Sequence, residues 1–492
     1  MSDRPFIEDE LVSRSPADLR DVVGTFPYSL DRAEEAVAEA RAAQPAWAHR
    51  RLEERLHLLA ALRERFLANA GEFTTLLCRE VGKPRWEAAQ EAALLPAKID
   101  SFLAEGLPLV RTHVPAGVTG EWRFRPHGVM AVIGPFNFPV HLPNGHIVPA
   151  LALGNTVVFK PSELTPALGA LYERCVQEAG FPPGVFAVVQ GERSIGAYLS
   201  EEADVDGILF TGSVATGIAI ARANADRPGK ILALELGGKN AALVFDDSDV
   251  DQALQQVAYG GFITTGQRCS STSRCLVQRG LLPRFAQALA DLARKISVGH
   301  YAEPVFMGPL ISAPARERYL ATVKRAPQEG AEVLLESIVP DTTAPGHYVG
   351  PSVHVIQTPR ADSRYQTEEL FGPDIAVRGF DDDDDALALA NDTAFGLVAS
   401  VFTSKKERFE WLAERLRAGV INWNAPTVGA SGKLPFGGIG LSGNHRPAGA
   451  FSSLYCAWPV ALLEGAPLVT GKPGEPGRTG SLAPGFPEVH GS

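Results

Sequence analysis

The chain has 492 residues, 45% of them hydrophobic and 21% charged, which is room for two or three domains of ordinary soluble globular composition. A formal net charge of −11 leaves no basic footprint for DNA or RNA, so no nucleic-acid partner is expected. No run of about 18 apolar residues occurs, so no membrane partner is expected either.

In chain order, the start MSDRPFIEDE is polar and acidic and lacks a basic segment followed by an apolar one, so no signal peptide is expected. Asp31 and Glu34 have the spacing of a capping box before an alanine-rich run. Residues 51–70 put Leu52, Leu56, Leu59, Phe66 and Leu67 near one helical face. From residue 129 the pattern changes to short apolar strands at 129–133, 156–159, 185–189, 207–210 and 242–245, with a late one at 419–423. Helical segments and glycine turns separate them, which predicts an α/β fold with a parallel sheet covered on both faces. The five aspartates at 381–385 read as a solvated helix start, with a metal site as the alternative. Residues 465–492 are rich in Gly and Pro and are expected to be irregular. Five cysteines (Cys78, Cys175, Cys269, Cys275 and Cys456) are few, odd in number and mostly far apart. They argue for a reducing, cytoplasmic setting and against a disulfide framework, and their spacing suggests no metal.

Four local sequences carry chemistry together. Gly134-Pro135-Phe136-Asn137-Phe138-Pro139 follows a strand, and a buried amide such as Asn137 needs a partner. Lys160-Pro161-Ser162-Glu163 stands at a strand end, where open α/β sheets bind ligands. Phe210-Thr211-Gly212-Ser213-Val214-Ala215-Thr216-Gly217 runs from a strand through a glycine turn into a helix start, a natural anion cradle. Leu234-Glu235-Leu236-Gly237-Gly238-Lys239 is followed 34 positions after Glu235 by Cys269, in Gly266-Gln267-Arg268-Cys269.

These segments resemble the aldehyde dehydrogenase superfamily over residues 22–463, with EELFGP at 368–373 and LPFGGIGLSG at 434–443 as further motifs. Residues 141–166 and 442–459, the latter with GNHRP and YCAWP, more narrowly resemble the N-succinylglutamate 5-semialdehyde dehydrogenase subfamily. The resemblance implies Cys269 as nucleophile, Asn137 and the Cys269 N–H as oxyanion donors, and Glu235 as the base that activates water. It implies NAD as cofactor, with Lys160 and Glu163 at the adenosine ribose and the turn Gly212, Ser213, Val214, Ala215, Thr216 and Gly217 at the pyrophosphate. Glu369 and Phe371 fall at the nicotinamide riboside, and Phe136, Gly191, Leu236 and Gly237 also match cofactor positions. Ala215 stands where many relatives have Glu. Val140 and the run Ser270-Ser271-Thr272-Ser273-Arg274 depart from the subfamily pattern beside the substrate. Arg268, His445 and Arg446 are candidates to hold the substrate's carboxylates, with a structural ion pair as the alternative.

The implied architecture is a Rossmann-like cofactor domain (1–110 and 129–236) and an α/β catalytic domain (237–445). A small β oligomerisation flap (111–128 and 446–464) implies a homodimer or homotetramer. The expected reaction is oxidation of succinylglutamate semialdehyde in arginine catabolism, with another semialdehyde or an aliphatic aldehyde as the alternative substrate. A CoA-acylating relative or a catalytically inactive structural homologue is disfavoured because Glu235, Cys269 and Asn137 occur together.

Overall fold

The structure, a computed structural model, describes residues 9–464; the Gly/Pro-rich segment 465–492 lies outside them. An antiparallel hairpin comes first, β1 (Asp9–Arg14) with β2 (Val22–Tyr28). Helix α1 (Leu30–His49) is capped by Ser29, whose hydroxyl accepts the Arg32 N–H at 3.2 Å. The expected capping box at Asp31 is thereby corrected: Asp31 lies inside the first turn, where its charge complements the helix dipole. Helix α2 (Leu52–Ala68) buries Arg55, Leu59, Leu62 and Phe66. Leu67 is 47% exposed, since the step of about 100° from Phe66 carries it off that stripe. After α3 (Ala70–Leu76), helix α4 (Arg85–Ser101) buries Glu87 and Glu91 beside Leu95.

Strand β3 (Gly120–Pro126) precedes the first large sheet. The sheet is built from β4 (Val129–Ile133), α5 (His141–Ala152), β5 (Thr156–Lys160), α6 (Pro166–Glu178), β6 (Phe186–Val188), α7 (Arg193–Glu201), β7 (Gly207–Thr211), α8 (Val214–Ala223) and β8 (Ile231–Glu235). All five strands are parallel, in the order β6-β5-β4-β7-β8. The chain builds outward from β4 to one side and returns at β7 to build the other. The crevice between the carboxyl ends of β4 and β7 is therefore the switch point where such sheets bind ligands. Burial on both faces explains the continuous apolar runs of β4 and β5.

Residues 236–239 lead directly from β8 into the second sheet. It contains β9 (Asn240–Val244), followed by α9 (Val250–Phe262), then β10 (Thr272–Gln278), β11 (Ala331–Leu335), β12 (Ser352–Ile356), β13 (Asp374–Phe380), β14 (Val398–Phe402) and β15 (Val420–Trp423). Its order is β11-β12-β13-β10-β9-β14-β15, parallel except for β11. Asp382 caps the helix Asp383–Asn391 by accepting the Asp385 N–H at 2.9 Å, so the aspartate run is a helix start. A short pair, β16 (Pro435–Phe436) with β17 (Ala448–Gly449), follows.

Strand β18 (Ala457–Leu463) pairs with β3 as a two-stranded ribbon. The smaller of the chain's two compact units contains, among the described residues, Arg111–Phe124 and 459–464. Residues 446–458, expected in the flap, belong instead to the larger unit. There Ser452, Ser453 and Tyr455 are buried, and the Tyr455 hydroxyl lies 2.8 Å from His146 Nδ1. No helix among the described residues is long and apolar enough to cross a membrane.

Candidate active site

A cavity of about 750 Å³ opens at the switch point. One wall comes from the carboxyl ends of the first sheet. After β4 come Phe136 and Asn137, at the end of β5 Lys160 with Glu163 just beyond, and after β7 Gly212, Ser213, Ala215 and Thr216. The opposite wall brings in Gly237, Cys269, Glu369 and Phe371. Ser213 is the N-cap of α8, and its hydroxyl accepts the Thr216 N–H at 3.2 Å. The free N–H groups of that helix start and its dipole suit an anion. The buried Lys160 ammonium donates to the Pro161 carbonyl at 3.0 Å and lies 3.8 Å from the Glu163 carboxylate. Phe136 and Phe371 meet edge to face, 5.8 Å between centroids.

Val214, Gly217 and Leu236 stand behind this surface, with Gly217 packed on the Leu236 side chain, which lets α8 approach β8 closely. Gly191 does not line the cavity; it turns at φ +142, hemmed in by Ile195 and Tyr28. The cavity also takes in Arg193 and Arg318, which the sequence reading missed. Neither lies in a recognisable motif, and only the fold brings them to the site.

Cys269 sits in the turn entering β10, partly exposed, while the other four cysteines are buried. The turn is held rigidly from several sides. Asn240, the first residue of β9, donates through Nδ2 to the Cys269 carbonyl at 2.7 Å and to the Ser271 carbonyl at 2.9 Å. Gln267 accepts the Ile311 N–H at 2.9 Å and donates to the Thr264 and Pro309 carbonyls. Thr264 and Thr265 both adopt positive φ, a costly conformation for β-branched residues. Their hydroxyls hold it by donating to Glu87 and, at 2.9 Å, to the Gly308 carbonyl. A Cβ at Gly266 would collide with the Gly372 carbonyl, one at Gly238 with the Cys269 carbonyl, and one at Gly237 with the Glu369 carboxylate. Asn240 directly follows the GGK motif; that adjacency was the signal available for it.

Asn137 is buried, and its Nδ2 donates to the Gln267 carbonyl at 2.8 Å. An amide nitrogen has two hydrogens, so one N–H orients the group and the other remains for a ligand. The Cys269 N–H donates to no described residue. Glu369 accepts the Gly238 N–H at 2.9 Å, and burial raises its carboxyl to about 7. Glu235, at the end of β8, accepts the Ala448 N–H at 3.2 Å through one oxygen; the other is buried without a partner among the described residues. Burial holds its carboxyl well above the usual range. Burial, helped by the nearby Glu369 and Glu235 charges, pushes the Cys269 thiol up to about 12, with Arg268 opposing.

The three residues expected at the substrate's carboxylates do not meet at this cavity. Arg268 donates to Thr264 at 2.6 Å, pairs with buried Glu87 at 3.0 Å and lies over the Phe138 ring, the arrangement of a structural ion pair. His445 and Arg446 are exposed, with His445 at φ +63. Among the described residues no group of three His, Cys, Asp or Glu could hold a metal.

The aldehyde dehydrogenase family model matches residues 7–456. An N-succinylglutamate 5-semialdehyde dehydrogenase of Cronobacter sakazakii is 43% identical over 434 residues, 87% of each chain. Among solved structures, a mutant of aldehyde dehydrogenase C of Pseudomonas syringae, complexed with NAD+ and octanal, superposes with a TM-score of 0.88 at 30% identity, over 94% of this chain and 95% of that one. The 1-pyrroline-5-carboxylate dehydrogenase from Thermus with bound NAD gives a TM-score of 0.86 at 30% identity, covering 92% and 90%.

Proposed function

The chain belongs to the aldehyde dehydrogenase family, oxidoreductases that act on small aldehydes with a nicotinamide cofactor, and from that membership we propose that it oxidises N-succinyl-L-glutamate 5-semialdehyde to N-succinyl-L-glutamate, using NAD. The reaction is the aldehyde-oxidising step of arginine catabolism by succinylation. The substrate is supported by the 43% identity to relatives bearing that name and by the resemblance of the GNHRP and YCAWP segments to that subfamily. The observation that carries the chemistry is a single cavity lined by Cys269 and Glu369 on one wall and by Asn137, Lys160, Glu163 and Ser213 on the other.

These residues suit a dinucleotide. The α8 start takes the pyrophosphate, and Glu163 accepts from a ribose 2′-hydroxyl and repels a 2′-phosphate, which favours NAD over NADP. Glu369 and Phe371, on the opposite wall, would hold the nicotinamide riboside. The Cys269 thiolate adds to the aldehyde carbon, and the free Asn137 N–H and the Cys269 N–H stabilise the oxyanion. Bound NAD supplies the hydride acceptor that lets the Cys269 adduct become a thioester. Glu235 then takes a proton from water as it attacks the thioester; its unpartnered oxygen is free for that proton. The flap ribbon has exposed Val114, Val118 and Trp122 and two strands only, which supports pairing in a homodimer or homotetramer.

The test is NADH formation at 340 nm with NAD and N-succinylglutamate semialdehyde, beside a plain aliphatic aldehyde, for the native protein and Cys269→Ala. Strong preference for the succinylated substrate with a dead variant is the expected result. An active Cys269→Ala enzyme refutes the thioester, and preference for the plain aldehyde refutes the substrate.

A further inference from the structure

Glu87, Glu91, Leu94 and Lys98 share one face of α4, since steps of four, three and four residues at about 100° each keep them within one stripe. Over its first turns this face is closed. The Lys83 ammonium lies 2.6 Å from Glu91 and 3.9 Å from Glu87, and Arg268 lies 3.0 Å from Glu87. Both cations stand over the Phe138 ring, at 3.6 and 4.8 Å from its centroid. Further along, the face opens. Leu94 is 40% exposed, and half-buried Lys98 makes no hydrogen bond or ion pair with any described residue.

The Lys98 ammonium looks onto two glycines from different parts of the chain. A Cβ at Gly145 would lie 3.5 Å from it and a Cβ at Gly432 3.8 Å. Both walls lead back to the nucleophile. Gly145 is on α5, about one turn beyond His141, and the preceding turn holds Asn137 against Gln267. Gly432 belongs to segment 424–437, which touches Thr272 through Thr427, hydroxyl to hydroxyl at 2.8 Å, and packs on Glu235 through Gly437. The titratable neighbours of Lys98 are His141 and His146, which burial holds neutral. Burial also brings the Lys98 ammonium down to about 8. A partly desolvated cation without a counter-charge is costly unless a ligand supplies one.

We infer that Lys98 is a specificity-determining residue that receives a carboxylate carried several atoms from the aldehyde carbon, in the role expected of Arg268, His445 and Arg446. The inference rests on the proposal that Cys269 is the nucleophile and that the substrate is acidic. Two small residues opposite the ammonium leave room for that group, and exposed Leu94, one turn before Lys98 on the same helix face, offers an apolar contact for the methylenes between.

The experiment compares the native enzyme, Lys98→Met and Lys98→Arg on N-succinylglutamate semialdehyde, 5-oxopentanoate and pentanal. Removing the charge is expected to raise KM for both anions about 10–100-fold, with kcat changed less than about threefold. The preference for 5-oxopentanoate over pentanal falls by the same factor, and Lys98→Arg restores most of it. Unchanged KM for both anions in Lys98→Met overturns the inference, as does equal loss on pentanal, which denotes a structural role. A native enzyme indifferent to charge overturns it too. If the native enzyme rejects the succinylated substrate but takes 5-oxopentanoate through Lys98, the inference stands and the named substrate falls.

Discussion

Replacing Asn137 by alanine separates two hydrogen bonds of unequal consequence. One N–H of the amide holds the Gln267 carbonyl at 2.8 Å, and the other is free for the oxyanion. Losing the first costs about 1 kcal/mol of stability. Losing the second removes an oxyanion donor, which is worth about 10²–10³ in kcat, or about 3–4 kcal/mol of barrier. Asn137→Ala is therefore expected to remain folded, with a slightly lowered melting temperature and a KM for NAD near native, while its rate of NADH appearance in stopped flow drops at least a hundredfold. Asn137→Asp sharpens the test. It preserves volume but sets a carboxylate oxygen against the Gln267 carbonyl and the developing oxyanion, so it should be slower than alanine. If Asn137→Ala kept kcat within about threefold of native, the amide would be a loop anchor only, and the oxyanion assignment would be wrong.

Glu235→Gln should give a burst of NADH equal to the enzyme concentration and then a steady rate about 10²–10⁴-fold below native, because acylation needs no base at this position. In the native enzyme the steady rate should fall as pH drops through the raised pKa of Glu235, with the inflection above the ordinary carboxylate range, since only the ionised form accepts a proton. A steady rate unchanged in Glu235→Gln places the base elsewhere. For the thiol, a pKa pushed to about 12 leaves the thiolate a small fraction near neutrality, so iodoacetamide labelling of the free enzyme should quicken about tenfold per pH unit from 7 to 9. Burial of the other four cysteines keeps labelling to one site; a plateau below pH 9 contradicts the desolvated environment.

Strands such as β4, β5, β7 and β9 were readable because buried parallel strands are uniformly apolar, and the strand ends were readable because the turns after them carry Gly, Pro or Ser. The residues at those turns, Asn137, Lys160, Gly212 and Ser213, come together at one cavity because the topology brings successive strand ends to one edge. What could not be read rests on partners far apart in the chain. For Arg268 the sequence left a substrate carboxylate and a structural ion pair both open, because its partner Glu87 lies 181 residues away. The burial of Glu87 and Glu91 had no trace in the sequence, because it depends on cations such as Lys83 that periodicity does not reveal. Ser29 outcompeted Asp31 as cap because the helix begins one residue after it. Asn240 was passed over because side chain to backbone bonds leave no periodic trace.

The three glycines that meet the nucleophile loop, Gly237, Gly238 and Gly266, have a bearing on how this enzyme can diversify. At each, main chain or carboxylate fills the space a methyl group would need, so the cysteine, the segment joining the sheets and the loop bearing Glu369 form a seam with no tolerance. Even alanine there should abolish the reaction rather than adjust it. New substrates must be acquired at the periphery, along α4, α5 and residues 424–437, where side chains can change size and charge without disturbing the seam. A library confined to those positions should yield altered selectivity with the bond-making step intact, whereas one spread evenly over the site would return mostly inert protein.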